Sequence, residues 1–446
     1  MTDTYLSLPD RITTLLDHLG IQRAHIVARM QSDWHGLARH HPDRIASLSL
    51  LCGGVVGVHL VASLAERLYV MSSNLSPFAQ QVTEAMQQLS AATYYELRDI
   101  DTRMWTDIAA DFGAEIQSSM VPFIKAHSGT TSRGTQYDAT KLRDGEQGEV
   151  AGITYAIHGN GEPLLLFPLT LAPSGWTPLL ETLRKQFCAI VLGGPELGVL
   201  PLLERRARSR GYQRMQRNLF DAIDLQRGET VLEVGCGSGA VCRWLAAHTG
   251  GANAITGVDI NGYLLGEAVA LAAKTAQSDA ISYQQGNAHA LPFPDNHFDV
   301  TFATTVMEEV NADQMLSELI RVTRPGGRVG VIVRAMDVPL GLNIPVRPEL
   351  RARFESQPNF AEGEACASAS LYRRFRQSPL VNVTGWPQLA EFTDPAGLVE
   401  GFLMGPVLAQ LDDDETAEWR NGLDQAAADG TFFMTWPHHC AVGTKP

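Results

Sequence analysis

Residues 226–239 of this 446-residue chain read QRGETVLEVGCGSG, and no other stretch narrows the fold as far. Val231-Leu232-Glu233-Val234 is a short, β-branched apolar run broken by one carboxylate, the pattern of a strand. Gly235-Cys236-Gly237-Ser238-Gly239 makes a tight turn, and residues 240–248 then set Val241, Trp244 and Leu245 on one helical face. Strand, glycine turn and helix open a nucleotide-binding α/β unit. The missing Cβ atoms let the backbone approach a ligand closely.

A glycine turn of this kind occurs in many α/β proteins, but three further features narrow the reading. Residues 254–261 (AITGVDIN) form a second strand ending in Asp259, where a carboxylate can accept both hydroxyls of a ribose. Residues 281–299 (ISYQQGNAHALPFPDNHFD) give a third strand, then Asn287-Ala288, then a turn rich in proline and aspartate. Residues 299–305 (DVTFATT) form a fourth strand. Arg321 to Gly327 ends a helix, and Arg328 to Val333 is a fifth strand. Strands alternating with helices predict an open, mostly parallel sheet.

The segments EVGCGSG (233–239), LPFPDNHFD (291–299) and LIRVTRPGG (319–327) together resemble class I S-adenosylmethionine-dependent methyltransferases. Within that family the resemblance is to the ubiquinone and menaquinone C-methyltransferase branch, and it covers about residue 210 to the C-terminus. It implies that Glu233 and the backbone of Gly235, Gly237 and Gly239 hold the methionine end of S-adenosyl-L-methionine. It further implies that Asp259 binds the ribose, Ile260 packs on the adenine, and Asn287 and Ala288 recognise the adenine edge. The family has aspartate where Asn287 stands; an amide oxygen still accepts from the adenine amino group but brings no charge. Thr304 and Thr305 would border the sulfonium, and Tyr212 and Arg214 would close over the cofactor.

Methyl transfer from a sulfonium asks the protein to align the nucleophile, exclude water and sometimes remove a proton. Candidates for the proton are Glu308, Glu309, His289, Asp337 and the pair His438-His439, and sequence alone does not choose among them. A zinc site is not expected, since the cysteines are scattered and none forms a C-x-x-C pair. The segment 335–375 follows the fifth strand, where loops carry the ligand site in such sheets, so Asn343, Arg347, Tyr372 and Arg373 are potential acceptor contacts. The final run TFFMTWPHHCAVGTKP reads as an antiparallel closing strand that completes the domain.

The first half carries a second resemblance. Residues 11–54 hold a helix with Leu15, Leu16 and Leu19, a strand at 24–28, a polar turn, a helix and another strand. This resembles the nucleophile elbow of α/β-hydrolases, but Met30 stands where the serine belongs and the elbow glycines are gone. Ser32 is a poor substitute without them. Residues 148–198 resemble the beginning of such a hydrolase: a hairpin, an apolar strand at 164–167, a helix and a strand at 188–192. In a hydrolase that piece precedes the elbow, so a circularly permuted, shortened sheet is expected, with no visible counterpart for the strands bearing the acid and histidine. A triad is therefore missing. Residues 57–125 would be a helical cap, in which Leu60, Leu64 and Leu68 make either core or a surface for dimerisation or pocket covering, and residues 127–148 a mobile loop.

The expected architecture is thus α/β in both halves. Residues 1–204 would form a degenerate α/β-hydrolase-like domain with a helical cap, and residues 205–446 a Rossmann-like methyltransferase domain. The formal net charge of -14 repels phosphate backbones and argues against nucleic acid. The one dense basic run, Glu204 to Arg210, reads as the exposed face of a linker helix. Six scattered cysteines, without a C-x-x-C pair, fit a reducing cytoplasm. Neither a signal peptide nor a membrane span is expected. The functional expectation is a cytoplasmic methyltransferase acting on a small molecule, with a homodimer through its first half as one arrangement. The alternatives are a bifunctional hydrolase-methyltransferase, a cofactor-binding protein without methyl transfer, or another reaction on the same cofactor.

Overall fold

Long β-branched runs flanked by amphipathic helices are buried in two separate mixed sheets. The structure is a computed structural model. It describes residues 6–446 except 30, 55, 77, 101, 103–105, 130–133, 170–172, 195–196, 357–363, 394, 396–406 and 408–410. The chain divides into one unit of Met1–Leu202 with Ala396–Asp412, and another of Leu203–Pro395 with Asp413–Pro446.

Among the described residues the first unit is built on nine strands. They are β1 (Ile21–Ala28), β2 (Ile45–Leu51), β3 (Leu68–Ser73), β4 (Thr93–Leu97), β5 (Gln136–Tyr137), β6 (Gln147–Val150), β7 (Ile153–His158), β8 (Pro163–Leu166) and β9 (Cys188–Gly193). Their order is β4-β3-β2-β1-β8-β9-β7-β6, with β5 paired to β1. From β4 to β9 all neighbours are parallel, and β7 and β6 close the edge as an antiparallel hairpin. Both faces are covered, which is why these strands read as unbroken apolar runs. Ile26, Leu48 and Val70 face Ile12, Leu15 and Leu16 of the helix Leu8–His18. Val27, Leu51, Met71 and Leu164 face Trp176, Phe187 and the helical residues Ile116 and Ile124.

Two expectations need correction here. The segment 57–125 is not a purely helical cap, because β3 and β4 lie inside it and extend the sheet. They supply further parallel strands where none was expected. Leu60, Leu64 and Leu68 mimic a helical stripe, yet Leu68 begins β3, and all three are buried in this unit's core. A short apolar run such as Leu68-Tyr69-Val70-Met71 fits either period, and tertiary pairing decides. The stripe is therefore core and supplies no dimer surface. Nor is 127–148 one featureless loop: β5 pairs with β1, and Asp138 caps a short turn by accepting from Thr140 N at 3.0 Å.

The second unit holds β10 (Thr230–Val234), β11 (Ala254–Asp259), β12 (Ile281–Gln285), β13 (Phe298–Thr304), β14 (Thr323–Arg334), β15 (Gly341–Asn343), β16 (Val381–Phe392) and β17 (Phe433–Thr444). The order is β12-β11-β10-β13-β14-β17-β15, with β16 paired to β17. The first five are parallel and β17 runs antiparallel to β14, as the closing apolar run implies. Leu232, Val329, Val331 and Val333 pack against the helix Ala312–Val322. Val231, Val300 and Ile332 pack against the helices Arg210–Ile223 and Ala240–His248. Among the described residues no helix is long and apolar enough to cross a membrane.

A buried histidine gives the first unit a pH dependence. His25 on β1 is fully buried, bonded through Nδ1 to Ser47 Oγ at 2.7 Å and through Nε2 to Ser128 Oγ at 3.2 Å. Burial pushes its imidazole down from 6.5 to about 4, although Glu162 at 3.6 Å pulls the other way. Between those pH values the unfolded chain binds the proton and the folded chain does not, so stability falls as pH falls. Urea unfolding of the chain at pH 7, 6 and 5 should show this unit losing up to ~1.4 kcal/mol per pH unit from His25. His25→Gln should flatten that slope.

Candidate active site

The carboxyl ends of β10, β11, β13 and β14 meet at one edge of the second sheet. Beyond β10, Gly235, Gly237 and Gly239 all adopt positive φ, at 73°, 54° and 69°. Two of them also have no room for a side chain: a Cβ on Gly235 would overlap Val306, and one on Gly239 would overlap the Tyr283 phenol. At Gly237 a Cβ would meet only ordinary contacts, Leu203 Cδ1 at 3.5 Å and Leu264 Cδ1 at 4.0 Å.

Asp259 ties this turn to the next two. Its Oδ2 accepts from Gly237 N at 2.8 Å and its Oδ1 from Asn261 N at 2.9 Å. Its carbonyl accepts from Gly286 N at 3.0 Å, just past β12. The turns after β10, β11 and β12 thus converge on one residue. Each carboxylate oxygen keeps a further lone pair. Beside it Ile260 is 58% exposed, an apolar face open to solvent. Asn287 is exposed and turns its Oδ1 to His289 N at 2.9 Å, with Ala288 next to it. Asn261 caps the helix Gly262–Ala272.

Glu233, one residue before the end of β10, is buried and accepts the Cys242 thiol at 2.9 Å. Burial pushes its carboxyl up to about 8. Burial also raises Asp259, against the N–H donors that favour its charge. At the end of β13, Thr304 shares hydrogen bonds with Gln216, and Thr305 sits at φ 56° with its N–H on Ile332 O at 2.8 Å. Tyr212 is buried, with Arg206 stacked over its ring at 4.9 Å.

The proposed proton acceptors separate once their partners are known. His289 Nε2 accepts from Asn311 N at 3.0 Å, so its lone pair is spent on a helix N-terminus. Asp337 and His439 bind each other at 2.9 Å, and Asp337 also accepts from Ala369 N. Glu309 lies 3.6 Å from Arg334. His438 is buried, and burial pushes it down to about 3, so it is neutral near pH 7. Glu308 is buried, with Oε1 on Arg334 N at 2.6 Å, and burial pushes its carboxyl up to about 7.

Several side chains stand elsewhere than the sequence suggested. Arg214 does not close over the glycine turn; it binds Glu391 at 2.8 Å and Leu389 O, both on β16. Asn343 bonds Thr431 O, and Arg347 pairs with Glu415 and Glu418, so both brace the unit's own structure. The basic run is not simply an exposed face either. In the helix Leu200–Arg208, Glu204 takes both Arg243 nitrogen contacts at 2.6 Å and the Ser238 hydroxyl at 2.6 Å, and Arg206 covers Tyr212. Glu204, Arg206 and Gln216 were missed because a charge run and a mid-helix amide carry no motif. Their one signal is amphipathicity in the helix preceding the glycine turn.

Residues 232–331 match the family model described as a methyltransferase domain. A sterol 24-C-methyltransferase of Gibberella zeae is 37% identical over 123 residues, 27% of this chain and 32% of that one. A ubiquinone/menaquinone biosynthesis C-methyltransferase of Psychromonas ingrahamii is 32% identical over 126 residues, 28% of this chain and 50% of that one. The chain thus spans about a third to a half of the length of these curated relatives. The solved geranyl diphosphate C-methyltransferase from Streptomyces coelicolor aligns with 52% of this chain and 79% of its own, at 16% identity and a TM-score of 0.32. The second unit therefore contains a class I methyltransferase domain of the S-adenosylmethionine-dependent kind.

The glycine turn can be tested without any ligand. Gly239→Ala combines a positive φ with overlap on Tyr283 and should cost about 1–3 kcal/mol in urea unfolding. Adding Tyr283→Ala should recover less than Gly239→Ala alone would suggest, because the backbone strain remains.

Proposed function

We propose that the chain is an S-adenosylmethionine-dependent methyltransferase acting on a small-molecule acceptor, with a first unit that is a rearranged, non-hydrolytic relative of the α/β-hydrolases. The observation that carries the first part is the convergence of three turns on Asp259.

The residues present suit the cofactor. A glycine turn at Gly237, a carboxylate with spare lone pairs at Asp259 and an exposed apolar side chain at Ile260 match a backbone approach, a ribose and a purine face. Asn287 and Ala288 stand at the adenine edge in this reading, and Thr304, Thr305 and Tyr212 border the sulfur. Glu233 would meet the amino group. The cofactor supplies an activated methyl group on a sulfonium. The chain's part is to bind, orient and exclude water, and its two buried carboxyls favour a cationic ligand.

The first unit's reading rests on how its two hydrolase-like pieces pair. β8, from the later piece, lies parallel beside β1, from the earlier one, which supports a single permuted sheet. Met30 falls outside the described residues, as does the side chain of Ser32. The carboxyl end of β1 is unsuited to hydrolysis. Arg29 is buried there and donates to Cys52 O at 3.1 Å. The adjoining cavity, lined by Arg29, Trp34 and Ser72 among others, has about 10 Å³ of room, enough for about one water. The six cysteines are unpaired and buried, which supports a reducing compartment such as the cytoplasm.

Calorimetry with S-adenosylhomocysteine checks the site. Asp259→Ala should weaken binding at least tenfold, about 1.4 kcal/mol or more. Unchanged affinity would sink the assignment of the site. Glu233 makes a second prediction. It is protonated at pH 7 and a bound ammonium favours its charge, so binding should release up to about one proton. Titration in buffers of different ionisation enthalpy reads that proton, and Glu233→Gln should abolish its release.

A further inference from the structure

Two buried polar atoms beside the site have no partner. Glu308 is 5% exposed; its Oε1 is taken by Arg334 N, and its Oε2 accepts nothing. Arg206 lies over Tyr212, and its buried Nε donates to nothing. Their charges act on one another, yet no direct ion pair joins them among the described residues. One orphan is an acceptor and the other a donor. Leaving such groups unpaired costs about 1–3 kcal/mol each, so each calls for a partner that the chain does not supply. A hydroxyl-bearing occupant has the groups for both: it can donate to the carboxylate and accept from the guanidinium.

The surroundings place that occupant in the chemistry. Glu308 follows β13 in the same loop as Thr304 and Thr305, the pair set at the sulfur side of the cofactor. Its carboxyl feels Arg334 and Glu309, and its own charge acts on Arg206, which in turn acts on Tyr212 and His438. Of the six candidate proton acceptors, Glu308 alone among the described residues keeps a buried carboxylate oxygen with no partner; His289 Nε2 is taken by Asn311 N, and Glu309 lies 3.6 Å from Arg334.

We infer that Glu308 is a catalytic residue that takes the proton from a weakly acidic hydroxyl of the acceptor, while Arg206 holds the same oxygen. This rests on the methyltransferase reading above. The class of acceptor follows from what needs such a base. A neutral amine attacks without losing a proton first, and a thiol, with a pKa near ~8.5, needs far less help to ionise than a phenol. A hydroxyl on an aromatic or enolic carbon, with a pKa near ~10 for a phenol, needs a positioned acceptor and a cation for its oxyanion. In the step, the acceptor oxygen forms its bond to the methyl carbon as the carbon–sulfur bond breaks. That bonding pair stays on sulfur, and the O–H proton passes to Glu308 Oε2 and then to solvent.

The full chain tests this with methyl-labelled S-adenosylmethionine and a fixed panel. Phenol, catechol, 2-naphthol and dimedone supply the hydroxyls, and aniline and benzenethiol are the comparators. Wild type should methylate hydroxyl members with a kcat that rises with pH through about 7 and then levels. Glu308→Gln keeps an oxygen for Arg334 N. It should lose about 100-fold or more in kcat with KM and S-adenosylhomocysteine affinity within threefold, and its residual rate should track the acceptor's own ionisation. Should the glutamine variant fail to fold, Glu308→Asp, which withdraws the carboxylate by one methylene, should show the same loss in kcat. A kcat within threefold of wild type in either folded variant means that only a water meets Glu308 Oε2, and overturns the proposal. So does a wild type that binds the cofactor but methylates no hydroxyl member, whether or not it methylates the comparators; the methyltransferase reading survives that result if the comparators react. A wild type that binds no S-adenosylmethionine removes both.

Discussion

Asp259 is the residue on which the second unit's geometry depends. Backbone bonds carry the ladder just past the strand ends, where Gly235 N and Cys236 N both donate to Val258 O, but they do not reach Gly237. Here one side chain accepts from the first turn and from its own, and its backbone carbonyl takes the N–H of the third. Charge-assisted bonds to backbone N–H groups are about twice as strong as neutral ones, and they hold a carboxylate that burial would otherwise neutralise. Glu233 lies near enough that Asp259 pushes it further up. Two carboxyls under one mutual strain make an edge that gains by receiving positive charge. The scaffold and the preference for a cationic ligand thus have the same origin.

The parts of this edge that were legible in the sequence are those fixed by local chemistry. Glycines at positive φ, a carboxylate at a strand end and β-branched runs all carry their conformational reason within a few residues. What sequence could not place depends on partners distant along the chain. Glu308 and Glu309 are adjacent and chemically alike. Only Arg334, some 25 residues later, separates them: its guanidinium lies 3.6 Å from Glu309 and 4.0 Å from Glu308, and it is Glu308 that keeps a buried oxygen with no partner. His289 looked available until Asn311 was found donating to it. The helix Leu200–Arg208 is the same case: its charges read as solvated until Glu204 meets Arg243 and Arg206 meets Tyr212.

In the first unit the difficulty was period. β3 and β4 are short and parallel, and they are separated by helices; their apolar residues fit a helical stripe as well as a strand. A parallel strand buried on both faces has no alternation to betray it. The hairpin β6–β7, by contrast, was readable, since its burial alternates. The two segments that resemble hydrolase pieces are each a local strand–turn–helix unit, whereas the pairing of β1 with β8 that brings them into one sheet is a contact between residues about 140 apart.

The two sheets treat their carboxyl edges in opposite ways, and this bears on how one chain divides its work. In the second unit the turn is made by glycines, and polar atoms are left with lone pairs to spare. In the first, Arg29 and Trp34 line a cavity with about 10 Å³ of room, and Arg29 donates to the carbonyls of Cys52 and Thr106. A buried guanidinium bonded in this way is costly to place and costly to move, which favours a fixed structure. An edge closed by such a group has exchanged ligand space for internal hydrogen bonds, whereas an edge held by Asp259 keeps its hydrogen bonds and its space together.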